Sequence, residues 1–256
     1  MKTAEQLLAA RALSLLDLTD LSEQANEAGI VQLCAKAVLP QGHVAAICIW
    51  PSFVSVARRV LREGSPVKIA TVVNFPAGGT HVQRVVGDIT EALDDGADEI
   101  DLVLPYKAFL MGDADIAQDM VAEAKAACGD KLLKVILETG EYPDQASIEA
   151  ASRIAIAGGA DFIKTSTGKS KLSATPAAVE TMLKVIAETT RPVGLKPSGG
   201  IRTLADAKTY LDLADTIMGP DWAKPSTFRF GASGLHAVLI EALTGHAHGE
   251  QTDGAY

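Results

Sequence analysis

The sequence predicts an α/β fold: one (β/α)8 TIM barrel spanning residues 1–256, with extra N-terminal helices within residues 1–40 and a flexible tail over residues 245–256. Three observations point that way. Apolar, β-branched runs alternate with segments of helical period along most of the chain. No linker or shift in composition divides it. Polar residues suited to chemistry stand at the C-terminal ends of most runs, where such barrels build their sites. A doubly wound open sheet is the alternative use of the same elements.

The opening stretch, MKTAEQLLAARALSLLDLTD, has the look of a signal peptide, but Glu5 and Arg11 interrupt it. Leu7, Leu8, Leu15 and Leu16 fall on one helical face, so a helical region is expected there. Eight strands are then predicted: Val44–Trp50, Val67–Phe75, Glu99–Leu104, Leu132–Glu138, Asp161–Ser166, Pro192–Pro197, Thr216–Gly219 and Phe228–Ala232. Amphipathic segments separate them, among them His81–Gly96, Asp113–Cys128, Asp144–Gly158 and Thr175–Thr189. Thr203 is suited to an N-cap, and Thr175-Pro176 places proline at a first helical position. Gly96-Ala97-Asp98, Gly159-Ala160-Asp161 and Leu213-Ala214-Asp215 each have the form of a helix end turning into a strand, with Gly96 and Gly159 suited to a left-handed cap.

Composition narrows the function. With 48% hydrophobic residues a large core is affordable, and 23 Lys and Arg against 32 Asp and Glu give a net charge of −9. That acidity argues against non-specific binding to nucleic acid or anionic membrane, while leaving room for one local basic pocket. A membrane span needs roughly 18 consecutive apolar residues, and no run reaches that. Cys34, Cys48 and Cys128 are odd in number and scattered, which fits reduced thiols and a cytoplasmic protein.

Lys164 lies within DFIKTSTG and Lys196 within PVGLKPSGG, each inside a predicted strand. An ammonium group in a strand is costly unless it is paired or deprotonated, although a rim lysine can keep its head in solvent. A free lysine near pKa ~10.4 is protonated and unreactive, whereas burial and a second ammonium disfavour the charged form. Such a lysine can attack a carbonyl and form an imine, an electron sink for the neighbouring C–C bond. Asp101, inside DEIDLVLP, is the carboxylate expected to pair with Lys196 and relay protons, with Asp98 and Glu99 as the solvated residues at the strand's start. Lys134 is expected in the same charge network and is the rival nucleophile.

Three loops after late strands are suited to an anion: Ser166-Thr167-Gly168-Lys169, Ser198-Gly199-Gly200 and Gly231-Ala232-Ser233-Gly234. A phosphorylated metabolite is the expected ligand. No HExxH, mixed Cys/His cluster, Walker loop or nucleophile elbow is present, so neither a metal nor a cofactor is expected. Cys48 alone reads as a small core residue, and Tyr256 as a frayed end.

Taken together, LLDLTDL, AAICIWP, KIATVVNFP, DEIDLVLPY, LLKVILETGE, DFIKTSTGK, GLKPSGGIRT and FRFGAS resemble the 2-deoxyribose-5-phosphate aldolase family in its longer bacterial branch, over almost the whole chain. The resemblance implies that Lys164 forms the imine with acetaldehyde, and that Lys196 lowers its pKa and transfers protons. It implies that Asp101 is their carboxylate partner and Lys134 a further lysine of the network. Asp17, Thr19 and Cys48 would line the cavity; Gly168, Lys169, Gly199, Gly200 and Ser233 would bind phosphate; Tyr256 would reach back as a proton shuttle. Thr165, Arg202, Gly231 and Gly234, in or beside the same motifs, complete the expected substrate contacts. Gly234 stands where the branch often has a second serine and Ser198 where it often has alanine; the first change is expected to weaken phosphate affinity.

The reaction so implied is reversible cleavage of 2-deoxy-D-ribose 5-phosphate to D-glyceraldehyde 3-phosphate and acetaldehyde, metal-free, by a homodimer in deoxyribonucleoside catabolism. Two alternatives keep the barrel. One is another phosphosugar imine aldolase or a transaldolase; the other is a non-catalytic sugar-phosphate-binding barrel, which would form no covalent adduct.

Overall fold

The computed structural model describes residues 2–245. Its centre is a sheet of eight parallel strands: β1 (Leu16–Asp20), β2 (Ala46–Ile49), β3 (Lys68–Val73), β4 (Glu99–Val103), β5 (Leu132–Ile136), β6 (Phe162–Lys164), β7 (Gly194–Lys196) and β8 (Phe230–Ala232). Each strand pairs with the next in sequence, and β8 pairs with β1. The last seam closes through the Leu195–Phe228 and Ser198–Gly231 bridges. There the Arg229 N–H donates to the Leu195 carbonyl at 3.0 Å and the Gly231 N–H to the Pro197 carbonyl at 2.9 Å. The sheet is a closed barrel, not an open doubly wound one.

Helix α1 (Ala4–Ser14) precedes the barrel. The crossovers are α2 (Glu27–Ala37), α3 (Val54–Leu61), α4 (Val82–Asp94), α5 (Tyr106–Leu110) with α6 (Ala114–Cys128), α7 (Gln145–Ala157), α8 (Pro176–Ala187) and α9 (Leu204–Met218), and α10 (Leu235–Thr244) follows β8. A short antiparallel pair, Val38–Leu39 with Gly42–His43, sits between α2 and β2.

Two expectations fail, and they compensate in the strand count. The N-terminal region is not all helix: α1 stops at Leu15 and β1 begins at once. Leu16 and Leu18 join the main apolar core, while Asp17 between them meets Lys196. That is the period of two expected of a strand with two different faces. Leu7, assigned with Leu16 to one helical face, is 58% exposed. Only α1 is then an extra helix, because α2 is the ordinary β1–β2 crossover. Conversely, Thr216–Gly219 is no strand; Thr216–Met218 is the last turn of α9, and Gly219 follows at φ +96°. Leu213-Ala214-Asp215 therefore ends nothing. Asp215 receives a two-pronged bond from Arg11, at 2.6 and 2.7 Å, that ties α9 to α1.

The other two Gly-Ala-Asp units do turn helix into strand, with Gly96 at φ +103° and Gly159 at φ +104°. Each aspartate then reaches across to the preceding strand. Asp98 accepts the Ile69 N–H at 2.9 Å and Arg58 at 2.7 Å; Asp161 accepts the Leu133 N–H at 2.8 Å and Lys125 at 2.8 Å. The caps behave as expected. Thr175 accepts the Ala178 N–H with Pro176 at the first helical position, and Thr203 forms a reciprocal capping box with Asp206. Each such cap stabilises its helix by about 1 kcal/mol.

Candidate active site

Alternation along the strands sends a second set of side chains into the barrel. Part of that interior is apolar and small, formed by Leu21, Ala46, Cys48, Ala70 and Val72. The rest is ionic. Asp17 comes from β1, Glu99 and Asp101 from β4 two residues apart, Lys134 from β5, Lys164 from β6 and Lys196 from β7; Arg229 precedes β8. Register pairs Asp101 with Lys134 and Lys164 with Lys196 on adjacent strands. Every one of these seven side chains is buried.

Asp101 is the hub. Its Oδ1 accepts from Lys134 Nζ at 2.8 Å, and its Oδ2 from Lys164 and Lys196, each at 2.8 Å. Lys196 also meets Asp17 Oδ2 at 2.5 Å, and Lys134 meets Glu99 at 2.7 Å. Arg229 bridges the outer carboxylates, reaching Asp17 at 2.6 Å and Glu99 at 2.8 and 3.2 Å. Its guanidinium lies 5.8 Å from the centroid of the Phe162 ring. Charges taken this far from water persist only when each has partners, and here each does.

Burial opposes ionisation of Asp101, but the ammonium groups of Lys134, Lys164 and Lys196 outweigh it and hold the carboxyl well below the ordinary range. Asp17 is lowered in the same way by Lys196 and Arg229. Burial likewise opposes charge on Lys196 and Lys134, yet the carboxylates around them, Asp101 first, raise both above the ordinary lysine value. So these two strand lysines are held protonated rather than deprotonated. Four cations against three carboxylates leave one excess positive charge when all seven are ionised. Lys164 has the fewest carboxylate contacts of the three lysines, a single one, and its side chain is 4% exposed where those of Lys134 and Lys196 are fully enclosed.

Glu99 corrects an expectation: it is not solvated at the strand's start but only 4% exposed, as a full member of the cluster. Arg229 was not anticipated at all. A period of two from Asp101 back to Glu99, and across FRFGA, is the signal that could have found both. Cys48 is fully buried, its Sγ 3.9 Å from Asp101 Oδ2, and burial raises its pKa, so it is a thiol at the cluster's edge. The Thr19 hydroxyl donates to the Asp17 carbonyl at 2.8 Å.

The three glycine-rich loops meet at one corner of the mouth. The Gly199 N–H donates to the Gly231 carbonyl at 3.2 Å, and a Cβ on Gly199 would lie 3.4 Å from the Gly168 Cα. Gly168, Gly199 and Gly200 all take φ between +77° and +79°. Ser233 is exposed, and Gly234 caps α10 without a side-chain bond, leaving that helix N-terminus at the same corner. Lys169 Nζ donates to the Leu21 carbonyl at 3.0 Å, which draws its loop across to the end of β1. The Arg202 N–H donates to Asp206 at 3.0 Å. Thr165 is enclosed, its hydroxyl accepting the Ser198 N–H at 2.9 Å and donating to the Ser198 carbonyl at 3.2 Å, so it is a strut between the ends of β6 and β7. Ser166, next along, is buried with no partner for its hydroxyl among the described residues. Tyr256 lies outside the described residues. Among those residues no cluster of three or more His, Cys, Asp or Glu could hold a metal ion, and no helix is long and apolar enough to cross a membrane.

A closed parallel barrel with buried lysines and carboxylates at its strand ends, beside a corner of glycine-rich loops, is the architecture of barrel enzymes that place their chemistry at the C-terminal ends of the strands. Comparison with known proteins makes this specific. Residues 11–236 match the model of the DeoC/LacD family of aldolases, and the chain belongs to that family. A deoxyribose-phosphate aldolase of Agrobacterium fabrum is 53% identical over 238 residues, covering 93% of this chain and 92% of that protein. A crystal structure from Toxoplasma gondii ME49, provisionally assigned as a deoxyribose-phosphate aldolase, superposes with a TM-score of 0.87 at 25% identity, over 94% of this chain and 96% of that one. The tetrameric deoxyribose phosphate aldolase of Aeropyrum pernix shares the fold, with a TM-score of 0.73 at 24% identity over 93% and 97% of the two chains.

Proposed function

We propose that this aldolase reversibly cleaves 2-deoxy-D-ribose 5-phosphate to D-glyceraldehyde 3-phosphate and acetaldehyde through an imine on Lys164. The supporting observation is the charge arrangement. Of three lysines around Asp101, Lys164 alone has some exposure and a single carboxylate contact.

The Lys164 amine adds to the C1 aldehyde of the open-chain sugar. The carbinolamine hydroxyl takes a proton from the ammonium of Lys196, held charged by Asp101 and Asp17, and leaves as water. The C3 hydroxyl proton passes to the Lys196 amine left by that transfer, which restores its ammonium and lets the C2–C3 bond break. Its electron pair passes into the imine as an enamine, and C3 departs as the aldehyde of glyceraldehyde 3-phosphate. Protonation at C2 and hydrolysis release acetaldehyde and restore the amine. Asp101 keeps the lysines placed for these transfers, and Lys134 with Glu99 and Arg229 holds Asp101. Tyr256 is assigned the C2 proton on the resemblance alone.

The phosphate is assigned to the corner formed by Gly168, Lys169, Gly199, Gly200, Gly231, Ser233 and Gly234, where backbone N–H groups and the start of α10 favour an anion. Arg202 is placed at its rim, and Asp17, Thr19, Cys48 and Thr165 shape the wall. The imine supplies the electron sink itself, so activity is expected to survive chelators. We further infer a homodimer, to be checked by light scattering. Cytoplasmic residence is inferred from three buried cysteines with no disulfide between them.

The test is borohydride reduction in the presence of acetaldehyde, followed by peptide mass analysis. A two-carbon adduct on Lys164 is expected. An adduct on Lys134 or Lys196 would keep the chemistry and overturn the residue, and no adduct on folded protein would overturn the imine.

A further inference from the structure

The turn after β5 does something that the imine chemistry does not use. Glu138 is 2% exposed and stands in the left-handed region, at φ +63° and ψ +55°. That conformation is uncommon for any residue with a Cβ. Among the described residues its carboxylate forms no ion pair. Instead it takes three donors from one loop: the Thr167 N–H at 3.2 Å and the Ser170 hydroxyl at 3.0 Å on Oε1, and the Thr167 hydroxyl at 2.5 Å on Oε2. Hydrogen bonds to an ionised acceptor are the strong kind, and three of them offset the cost of burying this carboxylate.

The Thr167 hydroxyl is a relay. While it donates to Glu138 it accepts the Lys169 N–H at 3.0 Å, so the carboxylate fixes the backbone on both sides of Gly168. Thr139 grips the same loop nearer its start, its N–H donating to the Thr165 carbonyl at 2.9 Å. Gly140 grips it at the far end. A Cβ there would fall 2.1 Å from the Leu172 carbonyl oxygen, an approach open only to glycine. Three successive residues thus hold the 165–172 segment at its start, middle and end.

We infer that Glu138 is a positioning residue for the phosphate end of the site, shaping the Thr167–Lys169 loop while leaving the imine end to the ionic cluster. This rests on the assignment of that loop to phosphate in the proposed reaction. The division of labour follows from the contacts. Lys164 is set by its pairing in the barrel and by Asp101, neither of which involves Glu138. Where strain is seen at a buried, fully bonded carboxylate, the surrounding structure over-determines it, as at sites that must be held in one shape. Glutamine at this position keeps the size but turns one acceptor into a donor. The Thr167 hydroxyl must then accept from it rather than donate to it, so the charge-assisted bond that orients this hydroxyl toward the Lys169 N–H is lost.

The experiment compares wild type, Glu138→Gln, Glu138→Ala and Thr167→Val by two readouts. One is the steady-state cleavage of 2-deoxyribose 5-phosphate. The other is the acetaldehyde concentration that half-saturates borohydride trapping on Lys164, a measure free of phosphate. Losing charge-assisted bonds at the loop should raise KM for the phosphorylated sugar about tenfold in Glu138→Ala and about threefold in Glu138→Gln and Thr167→Val. Values of kcat within about threefold of wild type, and trapping within about twofold, are expected for all three. Trapping that weakens in step with KM would overturn the inference, as would a KM unchanged in the folded variants. If Glu138→Ala does not fold, the two conservative variants decide. A wild type that forms no adduct overturns the reaction itself, whereas intact trapping with an unmoved KM sinks only the role of Glu138.

Discussion

Replacing Arg229 with methionine removes one buried positive charge and four hydrogen bonds, three to carboxylates and one from Nε to the Pro225 carbonyl, while keeping an unbranched apolar stem. Asp17 loses its 2.6 Å partner but keeps Lys196 at 2.5 Å; Glu99 loses contacts at 2.8 and 3.2 Å but keeps Lys134 at 2.7 Å. Breaking a buried ionic network by removing one partner costs about 3–5 kcal/mol. Because each carboxylate retains one ammonium, the low end applies, about 3 kcal/mol. For a chain of this size that is a fall in Tm of about 6–12 °C. Urea denaturation of the purified variants measures it, and a double-mutant cycle with Glu99→Gln tests the cause. Neutralising Glu99 alone raises the cluster to two excess positive charges, while in the double variant it returns to the single excess of wild type. The double variant should therefore lose at least about 1 kcal/mol less than the two single losses together. Strict additivity, or a cost for Arg229→Met below about 1 kcal/mol, would refute the reasoning that these charges act as one network.

Three further outcomes are expected. Lys164→Ala should lose both turnover and the borohydride-trapped adduct, and retention of either would show that another amine reacts. Asp17 and Asp101 keep their charge in the folded chain well below the ordinary carboxylate pKa of about 3.9, whereas the unfolded chain takes up both protons near it. The unfolded state then binds more protons, so stability is complete above that pH and falls as pH drops below it, by about 2.7 kcal/mol per unit for the pair. Urea titrations between pH 5 and 3 in wild type and Asp101→Asn should show the slope halved in the variant; an unaltered slope would remove Asp101 from that account. Gly234→Ser should lower KM for the phosphorylated sugar about threefold by adding a hydroxyl at the anion corner. Position 234 takes φ −72° and a Cβ there meets no atom within 4 Å, so any rise in KM would place the phosphate elsewhere.

Much of the site was legible because strand-end chemistry is local. Lys164 and Lys196 each sit in a short apolar run that ends in a glycine-rich loop, and a charged residue in such a run demands a partner. Glu99 and Arg229 were harder. Next to a strand's start a glutamate is ordinarily solvated, and only the closing of the barrel brings Arg229 against Glu99, 130 residues away in sequence. The strand count was reached by two errors that cancelled. Leu15-Leu16 extends a helical leucine pattern as well as it begins a strand, and Thr216–Gly219 is too short for periodicity to separate the two. Pairing settled both. Leu16–Leu18 has partners on β8 and β2, whereas Thr216–Met218 continues the helix bonded through Asp212 and Asp215.

By itself, then, the sequence determined the alternation of strand and helix, the caps that punctuate it, the lysines and Asp101, and the glycine loops, since each depends on a few neighbouring residues. Tertiary structure alone decided which lysine is left with one carboxylate and a path to solvent. It also decided that Lys134 and Lys196 stay charged, and that a strained Glu138 grips the loop beyond Lys164. Those are properties of distance and burial between strands far apart in the chain. Electrostatic energy depends on the separation and dielectric that folding sets, and no local pattern carries either.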